Sequence, residues 1–161
     1  MLLSGRAVAV VVVAFVALLV GYTLYALSAV PGTVTSPVPA SFTVNGRTYT
    51  FTYIATTPQE RQEGLMNTRI TNTTTELFAF PQPVAQPFWM YQTNASLDMI
   101  WIMANGDNGT VVYLVTSAQP CFDSSICTVY RPDAPANYVI EAKAGFAAAN
   151  GIAVGTAVHF G

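Results

Sequence analysis

From Ala7 to Val30 the chain reads AVAVVVVAFVALLVGYTLYALSAV, twenty-four residues without a charged side chain. A helix rises 1.5 Å per residue, so about 20 apolar residues cross a hydrocarbon core of about 30 Å. Lipid offers the backbone no hydrogen-bond partners, and such a stretch is therefore expected to span as a helix. Arg6 precedes it and no Lys or Arg follows until Arg47. The positive-inside rule then places the N-terminus in the cytoplasm and the rest of the chain outside, with Tyr22 and Tyr25 near the outer interface. Ala26-Leu27-Ser28 also offers the small residues of a signal-peptidase site, but the apolar stretch exceeds the usual 7–15 residues of a signal peptide, which favours an uncleaved signal anchor. Gly21 is the only glycine in the span, so no Gly-x-x-x-Gly face exists. Ala14, Ala17 and Gly21 leave room for a neighbouring helix of a membrane complex.

The expected organisation is an anchor at 1–30, a Pro-rich linker at 31–40 (PGTVTSPVPA) acting as a stiff spacer, and an exported domain at 41–161. The whole chain is 52% hydrophobic and 9% charged, with six Lys and Arg against eight Asp and Glu. A net charge of −2 leaves no basic footprint for nucleic acid. The two cysteines, Cys121 and Cys127, enclose five residues and suit a small disulfide loop in an oxidising compartment. Asn72, Asn94 and Asn108 each begin an Asn-x-Ser/Thr sequon, so an exported domain could carry glycans there.

Within 41–161 the local signals are mainly β. Asn45-Gly46 between two alternating runs is a type I′ hairpin signal, and in its second arm, Arg47 to Ala55, Tyr49, Phe51 and Tyr53 alternate with threonines. Further strands are expected at 77–80, 88–92, 97–103, 110–117, 138–143 and 157–160, with NGDNG at 105–109 as a tight connection. Thr57-Pro58-Gln59-Glu60 is a capping box opening a helix expected to reach Asn67, and a second short helix is expected at 144–150, stopped by Gly151. These elements predict a mainly β fold, a sandwich or barrel-like antiparallel sheet with one or two short helices, preceded by the single transmembrane helix.

The segments ERQEGLM at 60–66 with Arg69, FWM at 88–90, LDMI at 97–100, Pro120-Cys121, YVIE at 138–141, Ala144-Gly145 and Gly151-Ile152 together resemble the domain of unknown function 192 family, small bacterial and archaeal proteins, often exported. The resemblance spans nearly all of 48–160 in the family's order. It implies a compact, mainly β fold with the ER-GLM segment on a helix, and no established activity. The chain departs from the family at Tyr91-Gln92-Thr93, where Lys-Asn-Thr is usual, so a role requiring that lysine is not carried over.

Glu60, Arg61, Arg69, Trp89, Asp98 and Glu141 are the candidate binding residues, an acidic, basic and aromatic set in a chain that uses charge sparingly. Two readings follow. If Asp98 and Glu141 converge, one acting as general acid and the other as base, the domain is an envelope hydrolase of glycosidase type. Alternatively Glu60 caps a helix, the two buried carboxylates pair with Arg61 or Arg69, and Trp89 fills the core. The second reading, preferred here, makes the protein a non-catalytic, membrane-tethered module that binds carbohydrate, an envelope component or a membrane-complex partner. There is no Gly-rich phosphate loop, no nucleophile elbow and only one histidine, His159; no cofactor and no metal are expected. Met66, Met90, Met99 and Met103 are expected as core filler.

Overall fold

A computed structural model describes residues 33–34 and 37–161. The expected anchor at 7–30 lies outside them, and among the described residues no helix is long and apolar enough to cross a membrane. The described residues form ten strands and two short helices, in order β1 (Ser41–Val44), β2 (Arg47–Thr50), β3 (Tyr53–Ala55), α1 (Pro58–Glu63), β4 (Thr75–Val84), β5 (Phe88–Trp89), β6 (Leu97–Asn105), β7 (Asn108–Ala118), β8 (Val129–Tyr130), β9 (Ala136–Lys143), α2 (Phe146–Ala149) and β10 (Ala157–Phe160). Eight of the strands form one sheet in the order β2-β1-β10-β7-β6-β9-β4-β3, and β5 pairs with β8.

The sheet's two edge strands, β2 and β3, are consecutive in the chain and separated only by Phe51 and Thr52. Two residues span at most about 7 Å, far less than the width of eight strands spaced about 4.8 Å apart. The sheet must therefore curl until its edges meet. At the seam the Thr52 amide donates to the Thr75 carbonyl at 2.8 Å, and the Thr75 hydroxyl donates to the Thr50 carbonyl at 3.1 Å.

The two-residue turn between β1 and β2 has positive φ at both Asn45 (47°) and Gly46 (77°), as a type I′ turn requires. The long second arm is interrupted, however. Phe51 is buried but Tyr53 is 44% exposed, because the chain leaves one edge after Thr50 and joins the other at Tyr53. β3 pairs with β4 in parallel, so the sheet is not wholly antiparallel. The linker also differs from a free spacer. The Val34 amide donates to the Thr56 carbonyl and the Ala40 amide to the Gly161 carbonyl, both at 2.9 Å, which lays its described part along the domain.

Curling gives the sheet an enclosed face and an outer one. Phe42, Leu77, Ile100, Ile102, Val111, Ile140 and Phe160 pack together on one side of the strands. Phe78, Met99, Trp101 and Val139 face the other way and are covered by Leu65, Phe88 and Met90 from the segments after α1 and around β5. Met90 and Met99 are buried in this second cluster, as expected of core filler, whereas Met66 and Met103 are only half-buried and belong to neither cluster. Gly109 sits where the first cluster is tightest: a Cβ there would lie 2.6 Å from Ile102 Cγ2 and 3.1 Å from the Phe160 ring. Gly109→Ala is expected to destabilise the domain by about 1–3 kcal/mol through overpacking, measured as a lower urea midpoint with an unchanged slope.

Candidate functional site

The site is built around α1. Thr57 is its N-cap, Pro58 occupies the first turn, and the Thr57 side chain accepts from the Glu60 amide. Glu60 reaches back, its carboxylate accepting from the amides of Thr56 and Thr57 at 2.7 and 2.9 Å. Those backbone hydrogen bonds, Thr56 first, hold its pKa below the ordinary value. Glu60 is thus a capping residue, with Oε2 taking both backbone bonds. The helix stops at Glu63, four residues short of the expected Asn67. Gly64 turns the chain at φ 45°, ψ −135°, and a Cβ there would lie 3.0 Å from Phe78 Cζ. The loop can descend onto the sheet at that point only because the residue is glycine.

Arg61 extends from α1 over β4. Its guanidinium donates to the carbonyls of Thr56 (2.7 Å) and Ala79 (2.9 Å) and lies 5.1 Å from the Phe80 ring centroid. It lines an open groove of about 380 Å³ with Gln62, Phe80, Gln86 and Trp89. Trp89 is 37% exposed, and its ring lies 5.3 Å from that of Tyr91 at an interplanar angle of 37°. A second hollow of about 370 Å³, lined by Gln59, Gln62, Met66, Trp89, Tyr91 and Ser124, shares Gln62 and Trp89 with the first. The Cys121–Cys127 disulfide, formed as expected, fixes the loop that carries Ser124. Cys121 also anchors the aromatic segment directly: the Gln92 amide donates to the Cys121 carbonyl at 2.7 Å, and the Cys121 amide donates to the Met90 carbonyl at 3.1 Å.

Beneath Gly64 lies a narrow cavity of about 30 Å³ lined among others by Arg61, Leu65, Trp89, Thr93 and Glu141. Glu141 on β9 is the register partner of Glu76 on β4. Residues directly opposite across a strand pair put their side chains on the same face. Two carboxyl groups therefore stand side by side within the second core cluster, each only 4% exposed. The Oε2 atom of Glu76 is buried with no hydrogen-bond partner, and it lies 3.7 Å from the position a Gly64 Cβ would take. Burial, reinforced by the charge of Glu60, raises the Glu76 pKa to about 8. Burial and the neighbouring Glu76 raise that of Glu141 well above the ordinary value.

Asp98 does not join them. Its register partner on β9 is Ala142, whereas Glu141 is opposite Met99, so the Asp98 and Glu141 side chains point to opposite faces of the sheet. The expected acid–base pair does not form. Neither does the alternative pairing of Asp98 with an arginine. Asp98 is fully buried and accepts from three backbone amides, Ser117 (2.9 Å), Gly145 (3.0 Å) and Ala147 (2.8 Å). It ties β6 to the end of β7 and to the first turn of α2. Arg69 is exposed in the loop after α1 and lines none of the three cavities around Trp89. Trp89 is surface rather than core. Thus Arg61, Trp89 and Glu141 are brought together, Glu60 supports them through the helix, and Asp98 and Arg69 lie elsewhere.

The remaining residues are peripheral. Asn72, Asn94 and Asn108 are all exposed. Asn72 accepts from Lys143 Nζ at 2.8 Å, and Asn108 Oδ1 lies 3.2 Å from His159 Nδ1 at the surface. Glu76 is the residue the sequence reading missed. The expected strand began at Leu77, which left Glu76 outside the alternation it shares with Phe78; the signal was a lone acidic residue directly before the apolar run at 77–80.

The geometry defines a class: a curled β-sheet domain with a helix-covered acid pair beneath an aromatic groove. The chain belongs to the DUF192 family, "Uncharacterized ACR", whose sequence profile matches residues 40–160. It is similar to the crystal structure of a candidate transcription regulator from Sinorhizobium meliloti 1021, with a TM-score of 0.62 and 26% identity over 78% of this chain and 98% of that one. It is also similar to a protein of unknown function from Novosphingobium aromaticivorans DSM 12444, with a TM-score of 0.62 and 26% identity over 81% of this chain and 93% of that one. No curated protein matches it.

Two predictions follow from the carboxyl groups. Asp98→Asn puts an amide N–H against backbone donors, and loss of charge-assisted bonds in a dry site is expected to cost at least about 2 kcal/mol in chemical unfolding. For Glu76 the fold favours the protonated form, since its pKa of about 8 lies above the ordinary 4.5. The associated stability is fully present below pH 4.5 and is lost as pH rises through 8. The thermal midpoint is therefore expected to fall between pH 5 and pH 9, and Glu76→Gln to flatten that decline.

Proposed function

We propose that the protein is a membrane-tethered, extracytoplasmic, non-catalytic binding module whose ligand lies across Trp89 and Tyr91, with carbohydrate of the cell envelope as the favoured class. The observation that carries this reading is the pairing of exposed Trp89, which borders both open hollows, with half-buried Tyr91, which borders one of them, their ring centroids 5.3 Å apart. A sugar ring presents an apolar C–H face suited to such rings and hydroxyls at its edge. Gln59, Gln62 and Gln86 supply uncharged amides along the rim to meet those hydroxyls. Arg61 adds a cationic edge already oriented by two carbonyls.

The tether rests on the uncharged run at 7–30, which is long enough for one crossing, and on the absence of Lys and Arg between it and Arg47. An exported location also agrees with the disulfide between the only two cysteines. The regulator description belongs to the Sinorhizobium protein; a chain with a net charge of −2 has no cationic excess with which to hold DNA.

Trp89→Ala is expected to weaken binding to envelope polysaccharide by about tenfold, the equivalent of one well-placed aromatic contact, in isothermal titration with oligosaccharide fragments. Absence of wild-type binding to any envelope glycan fraction, or equal binding by the variant, would contradict the reading.

A further inference from the structure

We propose that Asn105 is a self-modification site, where the folded protein loses the side-chain amide to attack by the Gly106 backbone nitrogen, ahead of the chain's three other Asn-Gly pairs. This inference is independent of the aromatic groove and of any glycan it holds. The four pairs are Asn45-Gly46, Asn105-Gly106, Asn108-Gly109 and Asn150-Gly151. Asn followed by Gly is the sequence most open to this chemistry, because glycine has no Cβ to shield its nitrogen. The fold decides which of the four can use it.

Asn105 ends β6, and Gly106 and Asp107 make the turn into β7. All three are exposed. Among the described residues nothing bonds to the Asn105 side chain or to the Gly106 N–H. A Cβ on Gly106 would meet no atom within 4 Å, so the space around the turn is open. Nucleophile and leaving group are both free, and water reaches both. Cyclisation also requires the peptide between them to swing, and Asn105 opposite Asn108 is the last rung of the β6–β7 ladder, where local opening costs least.

Each of the other pairs lacks one of these conditions. The Asn45 Nδ2 donates to the carbonyls of Asn150 (2.7 Å) and Gly151 (3.2 Å), which hold the leaving group. Gly109 is buried, with Ala104 as its register partner on one side and Val158 on the other. Asn150 is 8% exposed; its Oδ1 accepts from Arg47 and Tyr49, its Nδ2 donates to the Phe146 carbonyl, and the Gly151 amide donates to the Ala148 carbonyl.

The conversion needs water alone. The Gly106 nitrogen gives up its proton and bonds to Asn105 Cγ; the Cγ–Nδ2 bond breaks, and Nδ2 takes a proton and leaves as ammonia. Water then opens the cyclic imide at either carbonyl carbon, and the Gly106 nitrogen regains its proton. Opening at Cγ leaves an aspartyl residue at 105, and opening at the main-chain carbonyl leaves the isoaspartyl linkage through Cγ. Either product adds one negative charge beside Asp107, in a chain whose formal net charge is −2.

The full chain, made without N-glycans so that Asn108 stays able to react, is held in detergent in warm, mildly alkaline buffer and sampled by peptide mapping with mass spectrometry. The peptide holding Asn105 is expected to convert first, into two isomeric acidic products, with positions 45, 108 and 150 at least about fivefold slower, the effect of one retained hydrogen bond. In urea the four rates are expected to converge, because the sequence pair is the same at each. Asn105→Gln is expected to lose the early acidic form in ion exchange; should that variant not fold, the wild-type ranking decides by itself. Conversion at 45, 108 or 150 as fast as at 105, the same ranking in urea as in the folded chain, or a folded Asn105→Gln that still yields the early form would overturn the proposal.

Discussion

The short crossover at Phe51-Thr52 governs the architecture. Because it carries the chain from one edge of an eight-stranded sheet to the other, every strand between must lie on a curve, and the two faces become unequal. The enclosed face fills with Phe42, Ile100, Ile102 and Phe160. The outer face of β4, β6 and β9 would expose Phe78, Met99 and Trp101 if it were bare, so it must be covered by other segments. That cover is made from the loop beyond α1 and the aromatic segment held by Cys121. The functional candidates are concentrated in this cover and in what it hides.

The buried acid pair follows from the same arrangement. Register between β4 and β9 places Glu76 opposite Glu141, and the descent of the chain at Gly64 seals the pair from water. Like charges this close, in a medium of low dielectric, cannot both be ionised at little cost. The fold therefore favours the protonated, neutral forms of the pair. Asp98 illustrates the contrasting solution: an equally buried carboxylate on the opposite face is satisfied by three backbone amides and becomes part of the framework.

Local chemistry was legible in the sequence where neighbours along the chain determine the outcome. The Asn45-Gly46 turn, the Thr57–Glu60 capping box, the strand at 157–160 and the disulfide all appear as read. Features that depend on distant partners were not. Nothing near Tyr53 announces a parallel pairing with β4, and the stop at Gly64 depends on the Phe78 ring below it. The same holds for the site. Grouping Asp98 with Glu141 presumed a shared face, but the β6–β9 register puts them on opposite ones and supplies Glu76 in place of Asp98. The pairing of strands, which decides which side chains meet, is non-local information.

The central claim is that two adjacent carboxyl groups are held neutral inside this domain. Carbon-13 NMR of the glutamate side-chain carboxyl carbons, followed through a pH titration in metal-free buffer, reads their ionisation directly. The account predicts two glutamate resonances that do not titrate near pH 4.5, with that of Glu76 titrating near 8. Both titrating in the ordinary carboxylate range would contradict it.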